Sequence, residues 1–176
     1  MLIKMLIVLY LILATQTGLA QSNQDVDTVR QKYLAEQKKI GRAFSDDFYP
    51  KFSAHYSLSE KDFVSKIESS RSAINALLKE YGRNFDEKFI ESQQAEIKYY
   101  FDKLILDYPS NYHTYTGKKI SLSSKMSRKL QKNLADFNKP EFLTNSDFTE
   151  YVRAFLSYRI DSEIRKTFTK IRTISV

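Results

Sequence analysis

The sequence predicts an all-α protein: an irregular helical bundle of about five helices, centred on an antiparallel helix hairpin. Three observations carry that expectation. Apolar residues recur at helical rather than alternating spacing through most of the chain. Only four glycines and three prolines occur in 176 residues, too few for a loop-rich or all-β fold. Two long amphipathic stretches are joined by three residues, Gly82-Arg83-Asn84, and a link that short folds the second helix back on the first.

The first segment stands outside the predicted bundle. Lys4 supplies a positive n-region, Met5 to Ala14 is a continuous apolar run, and Gly18 and Ala20 suit the −3 and −1 pockets of signal peptidase. Residues 1–20 read as a signal peptide cleaved after Ala20, and 21–176 as a single helical domain. The competing reading is a retained anchor, but the run falls short of the roughly 20 apolar residues that a spanning helix needs. The expected location is therefore the periplasm or cell envelope, with no membrane span after cleavage.

Val26, Val29, Tyr33, Leu34 and Ile40 mark the first helix, and Gly41 is placed to end it. Ala43 to Tyr56, with aromatic and polar residues alternating around Pro50, fits a short strand, an irregular connector or a helical turn. Ser57 and Glu60 have capping-box spacing before a helix through Phe63, Val64, Ile67, Ile74, Leu77, Leu78 and Tyr81, with Gly82 as its C′ residue. The central helix follows, opened by Asn84 and Glu87 and stopped before Pro109. Its stripe is Phe89, Ile90, Ile97, Tyr100, Phe101, Leu104 and Tyr108, with Glu87, Lys88, Glu91, Lys98, Asp102 and Lys103 on or toward the polar side. Gln93 and Gln94 fall inside the stripe. They mark either a kinked or partly exposed turn, or an open stretch of groove that meets a partner.

Beyond Pro109 the run SNYHTYTGKKISL has no period and reads as an aromatic loop holding Tyr112, His113 and Tyr115. A third helix runs from Ser123 to Phe137 through Met126, Leu130 and Leu134, broken at Asn138-Lys139-Pro140. The last long helix starts near Ser146, with Phe148, Tyr151, Val152, Phe155, Leu156, Ile160, Ile164 and Phe168 inward. Thr169 to Val176 is an uncapped tail.

Candidate chemistry is sparse. With no cysteine, thiol redox chemistry, thiolate zinc and Cys nucleophiles are excluded. His55 and His113 lack metal-ligand spacing. Glu87 and Glu91 share a face, but a solvated pair accounts for them. No nucleophile elbow, Ser-x-x-Lys or glycine-rich phosphate loop occurs. No catalytic residue, cofactor or metal is expected, and a hydrolase without a recognisable motif is the residual enzymatic reading. Tyr99, Tyr100, Tyr108, Tyr112 and Tyr115 suit a sugar-stacking platform or, as the commoner use of such residues, inter-helix packing.

Net charge is +7. In an exported chain that speaks against nucleic acid and toward an envelope protein or an anionic envelope surface, such as glycan or lipid. Lys125, Arg128, Lys129 and Lys132 recur at i, i+3, i+4 and i+7, with Lys118 and Lys119 just before them. They form the candidate interaction surface, against the alternative of a solvated outer face.

The run IKYYFDKLILDYPSNYHTYTGKKISLS from Ile97, with FLTNSDFTEYVRAFLSYRI from Phe142, resembles the helical segment preceding the thioredoxin domain of exported TlpA-type thiol–disulfide oxidoreductases. The likeness lies in a Tyr-Pro-Ser-like helix stop (Leu106 to Ser110), a Tyr-rich loop (Tyr112 to Thr116), a polar helix (Lys125 to Phe137) and an aromatic helix opening on an acidic–aromatic pair (Asp147 to Tyr158). The family's Cys-x-x-Cys, expected downstream, is absent. The β-rich domain that often precedes those helices is absent as well. The resemblance implies an exported, non-catalytic helical interaction module, either a stand-alone relative or a truncated reading frame.

Overall fold

The computed structural model describes residues 26–139, 142 and 144–174, the side chains of Phe137 and of 165–174 excepted. The leader at 1–20, the break at Pro140, the inward placement of Phe137 and Phe168, and the tail beyond Ile174 lie outside the described residues. Among those described there is no strand, and six helices form a packed all-α bundle. They are α1 (26–48), α2 (Phe52–Tyr56), α3 (Glu60–Tyr81), α4 (Glu87–Thr116), α5 (Ser124–Lys132) and α6 (Ser146–Ile174).

The hairpin of α3 and α4 is the frame. Its antiparallel register is visible in contacts that climb one helix while descending the other. Phe63 stacks on Tyr108 at 4.7 Å, and Arg71 meets Asp102 further along. Both capping positions differ from the sequence expectation. Ser59, not Ser57, caps α3, its Oγ accepting from the Asp62 N–H at 3.2 Å. Ser57 instead closes α2, donating N–H and Oγ–H to the Ser53 carbonyl. Asp86, not Asn84, caps α4, accepting from the Phe89 N–H at 2.9 Å. The reason is Phe85, buried in extended conformation against Tyr33 and Phe89, which holds the chain out of the helix for two more residues. Asn84 turns back to the Tyr81 carbonyl, and Gly82 stays right-handed in a 3₁₀ turn (Gly82–Asn84) rather than acting as a left-handed cap.

Two predicted stops are not stops. α1 passes through Gly41 to residue 48, because Phe44 and Phe48, one and two turns on, are buried against Phe101, Tyr56 and Phe63. Their burial outweighs the roughly 1 kcal/mol that a helical glycine costs. The segment Ala43 to Tyr56 is thus the end of α1, a turn at Pro50 and α2. Likewise α4 passes through Pro109 to Thr116. A proline there removes one backbone hydrogen bond, a cost of about 3 kcal/mol. Leu106, Tyr108 and Pro109 are all buried, and Asn111, Thr114 and Thr116 bond carbonyls four residues back, securing the last turns. The helix ends instead at Gly117, in left-handed conformation (φ 69°), whose N–H reaches the His113 carbonyl at 2.9 Å.

α4 is buried on two faces. One carries Ile97, Phe101, Leu104 and Tyr108 toward α1 and α3. The other carries Ala95, Tyr99, Asp102 and Leu106, with Tyr99 and Asp102 meeting α6 and the 3₁₀ turn that follows α5. Tyr99 sits on Phe148 (4.8 Å) and Tyr151 (5.4 Å) of α6, and Tyr151 donates its hydroxyl to the Leu130 carbonyl of α5 at 2.5 Å. α5 starts at the Ser123 cap as expected but ends at Lys132, continuing as a 3₁₀ turn from Asn133 to Asn138. Asn145 caps α6, accepting from the Phe148 N–H at 2.9 Å.

Candidate functional site

The cationic candidate lies on α5. Its buried side is Leu130, with Met126 and Leu134 half-buried, and that seam turns Lys125, Arg128, Lys129 and Lys132 outward. All four are exposed, as are Lys118 and Lys119 in the preceding segment. Two of the four are engaged locally: Arg128 donates to the Ser124 carbonyl, and Lys129 pairs with Glu68 of α3 at 2.9 Å.

Behind Lys129 runs a polar network that sequence reasoning missed. Glu68 also pairs with Arg71 at 3.3 Å, and Arg71 pairs with Asp102, which is only 1% exposed. Asn133 donates to the second Asp102 oxygen at 2.7 Å. Helical period puts Asp102 on or toward the polar side of α4. It is buried because α6 and the 3₁₀ turn after α5 cover this side of α4 and Arg71 of α3 reaches over to it. The only signal was its position three residues after Tyr99 and four before Leu106. Arg71 sits 5.8 Å over the Phe101 ring, and its Nε, also buried, has no hydrogen-bond partner among the described residues.

A second polar cluster closes the α4–α5 side. Asp136 accepts from Lys98 at 2.8 Å and from the Tyr99 hydroxyl, and pairs with Lys139 at 3.1 Å. Burial would raise its carboxyl, but these three donors outweigh it and hold the group down at about 2. The Tyr99 hydroxyl moves the opposite way, raised by burial and by Asp136. Next to it, a cleft of about 780 Å³ opens at the start of α6, lined by Lys88, Glu91, Glu96, Asn145 and Asp147 among others. Burial and the neighbouring Glu150 raise the Asp147 carboxyl.

The predicted aromatic loop is helical. Tyr112, His113 and Tyr115 occupy the last turns of α4, extended past Pro109. Tyr112 packs half-buried beside Tyr108, Tyr115 is edge-on to Phe52 at 6.0 Å, and His113 is exposed. Tyr99 and Tyr108 are fully buried, so these tyrosines are divided among separate packing contacts and do not form one platform. His55 lies stacked on Phe48 at 5.2 Å, its Nε2 3.2 Å from the Asp47 carbonyl oxygen. No cluster of three or more potential metal ligands occurs among the described residues. Gln93 is buried and satisfied, accepting from Tyr33 (3.1 Å) and Gln37 (2.9 Å) and donating to Glu96 (2.9 Å), whereas Gln94 is exposed. That stretch of the central helix is closed by α1.

The surface that breaks the core pattern is on α6. Phe148, Tyr151 and Phe155 are buried and Val152 half-buried, as expected. Leu156, Ile160 and Ile164, expected inward with them, are 55%, 58% and 49% exposed. At about 100° per residue, steps of four drift the stripe steadily off the core-facing side. Past Phe155 only Tyr158 and Ser162, up to Ile164, remain half-buried. The three apolar side chains form one exposed ridge at i, i+4 and i+8. Among the described residues, no helix is long and apolar enough to cross a membrane. No protein-family model, curated protein or solved structure matches this chain.

Proposed function

We propose that this chain is an exported, non-catalytic helical interaction module, of the kind its resemblance to the helical segment of TlpA-type proteins implies. The observation that carries the reading is the α6 ridge. Three large aliphatic side chains, one helical turn apart, stand about half exposed in a protein whose other large apolar residues are mostly packed. Scattered surface apolar residues need no explanation, but a contiguous set in register marks a contact surface. The leader sequence supports export, and the polar clusters around Asp102 and Asp136 are consumed in holding helices together. The test replaces Leu156, Ile160 and Ile164 together by Ser. Helix content should stay unchanged, and retention by an immobilised envelope fraction should fall to background. Equal retention of parent and variant would remove the reading.

A second reading rests on the exposed α5 cations: contact with an anionic glycan or lipid surface. Reversing Lys125, Arg128, Lys129 and Lys132 to Glu should then abolish binding to anionic vesicles, and added salt should weaken the parent's binding. Exposed charges are screened beyond about 10 Å at 0.1 M. Salt-independent binding would rule it out.

A further inference from the structure

Resting on the reading of α6 as a contact surface, we propose that the ridge Leu156–Ile160–Ile164 pairs with the same ridge of a second copy, antiparallel and centred on Ile160. The first argument is symmetry. The ridge has one turn on either side of Ile160, so antiparallel pairing sets Leu156 level with the second copy's Ile164, and Ile160 against itself. A two-fold pair requires a surface complementary to itself in this way. Residues spaced by four form the ridges that most often interdigitate between helices.

The second argument is charge, and it chooses both the occupant and the direction. Residues 146–164 of α6 hold four acids (Asp147, Glu150, Asp161 and Glu163) and two bases (Arg153 and Arg159), net −2. Residues 165–174 hold Arg165, Lys166, Lys170 and Arg172 and no acid, net +4. Antiparallel pairing about Ile160 lays residues 165–174 of each helix along 146–155 of the other, where Asp147 and Glu150 outnumber Arg153, net −1. Parallel pairing would bring +4 against +4. Beside the ridge, Arg159 (46% exposed) and Glu163 (55% exposed) already lie 3.8 Å apart within one chain. In the antiparallel pair, Arg159 comes within two residues, roughly 3 Å of rise, of the second copy's Glu163. An anionic bilayer fits the same helix less well, since Glu163, flanking the ridge, would be brought to its headgroups alongside the bases.

The chain has no cysteine, so single substitutions at exposed positions report the geometry directly. In the full chain under mild oxidation, Ile160→Cys should form a covalent dimer. Leu156→Cys and Ile164→Cys should each stay monomeric alone and link when mixed. In sedimentation equilibrium the parent should dimerise with rising concentration, and Ile160→Glu should remain monomeric with an unchanged circular dichroism spectrum. Self-linking of all three cysteines, which indicates parallel pairing, would overturn the proposal. So would linking no greater than that of Leu34→Cys, an exposed control on α1. Persistence of the dimer in Ile160→Glu would overturn it too. A monomeric parent that binds phosphatidylglycerol vesicles, with binding lost in Ile160→Glu, would replace the second copy by lipid while leaving the contact-surface reading in place. No effect of Ile160→Glu on either self-association or envelope retention would remove both.

Discussion

Replacing Asp102 by Ala tests how much of the bundle's stability depends on one buried ion pair. The Asp102 side chain is 2% exposed and that of its partner Arg71 10%, so neither charge has water to fall back on. Removing one member of such a pair costs roughly 3–5 kcal/mol, mainly because the remaining charge is left buried and uncompensated. Asn133 loses its acceptor as well, and a buried unpaired donor costs about 1–3 kcal/mol. Arg71 retains Glu68 at 3.3 Å, which limits the loss, so about 3–4 kcal/mol is the expected total. Urea unfolding followed by circular dichroism would read this as a lower midpoint. Near the melting temperature, each kcal/mol corresponds to roughly 2–4 °C in a domain of this size. Asp102→Leu with Arg71→Met should recover most of the loss, because an apolar pair of similar volume needs no desolvation. A single-variant cost below about 1 kcal/mol, or a double variant as weak as the summed singles, would refute the reasoning.

Three further outcomes follow from the packing and the caps. Ile97→Ala, Phe101→Ala and Leu104→Ala should each cost about 2–5 kcal/mol, as buried large-to-small changes do, while Lys103→Ala, which removes a half-buried side chain paired with Asp107 one turn on, should cost only about 0.5 kcal/mol in the same unfolding assay. Gly117→Ala should cost about 1–2 kcal/mol although nothing lies within 4 Å of the added Cβ, because only the left-handed backbone opposes it. Asp136, held down at about 2 in the fold, should contribute stability above the ordinary carboxyl range near 3.9, lost as pH falls from about 4 toward 2. Asp136→Asn should flatten that part of the acid-unfolding curve, and an unchanged slope would show that the carboxylate is not depressed.

Much of the architecture was legible in the residues. The fold class, the antiparallel hairpin, the starts of α5 and α6 and the outward cations of α5 follow from helical period, a short link after Tyr81 and short polar caps. Those are local properties, set by hydrogen bonds and rotamers within a few residues of each other. Tertiary packing decided the rest. Gly41 and Pro109 carry local costs that only Phe44, Phe48, Leu106 and Tyr108, buried by other helices, could overrule. Asp102 and Gln93 look misplaced on a one-sided helix and become ordinary on α4, which is enclosed on two sides by neighbours that supply Arg71, Asn133, Tyr33 and Gln37 as partners. Leu156, Ile160 and Ile164 show the converse. Periodicity states that a helix has an apolar face, but exposure depends on whether a neighbour reaches it, and past Phe155 the cover over α6 thins. A sequence specifies what each helix would bury; only the arrangement of all of them determines what each one does bury.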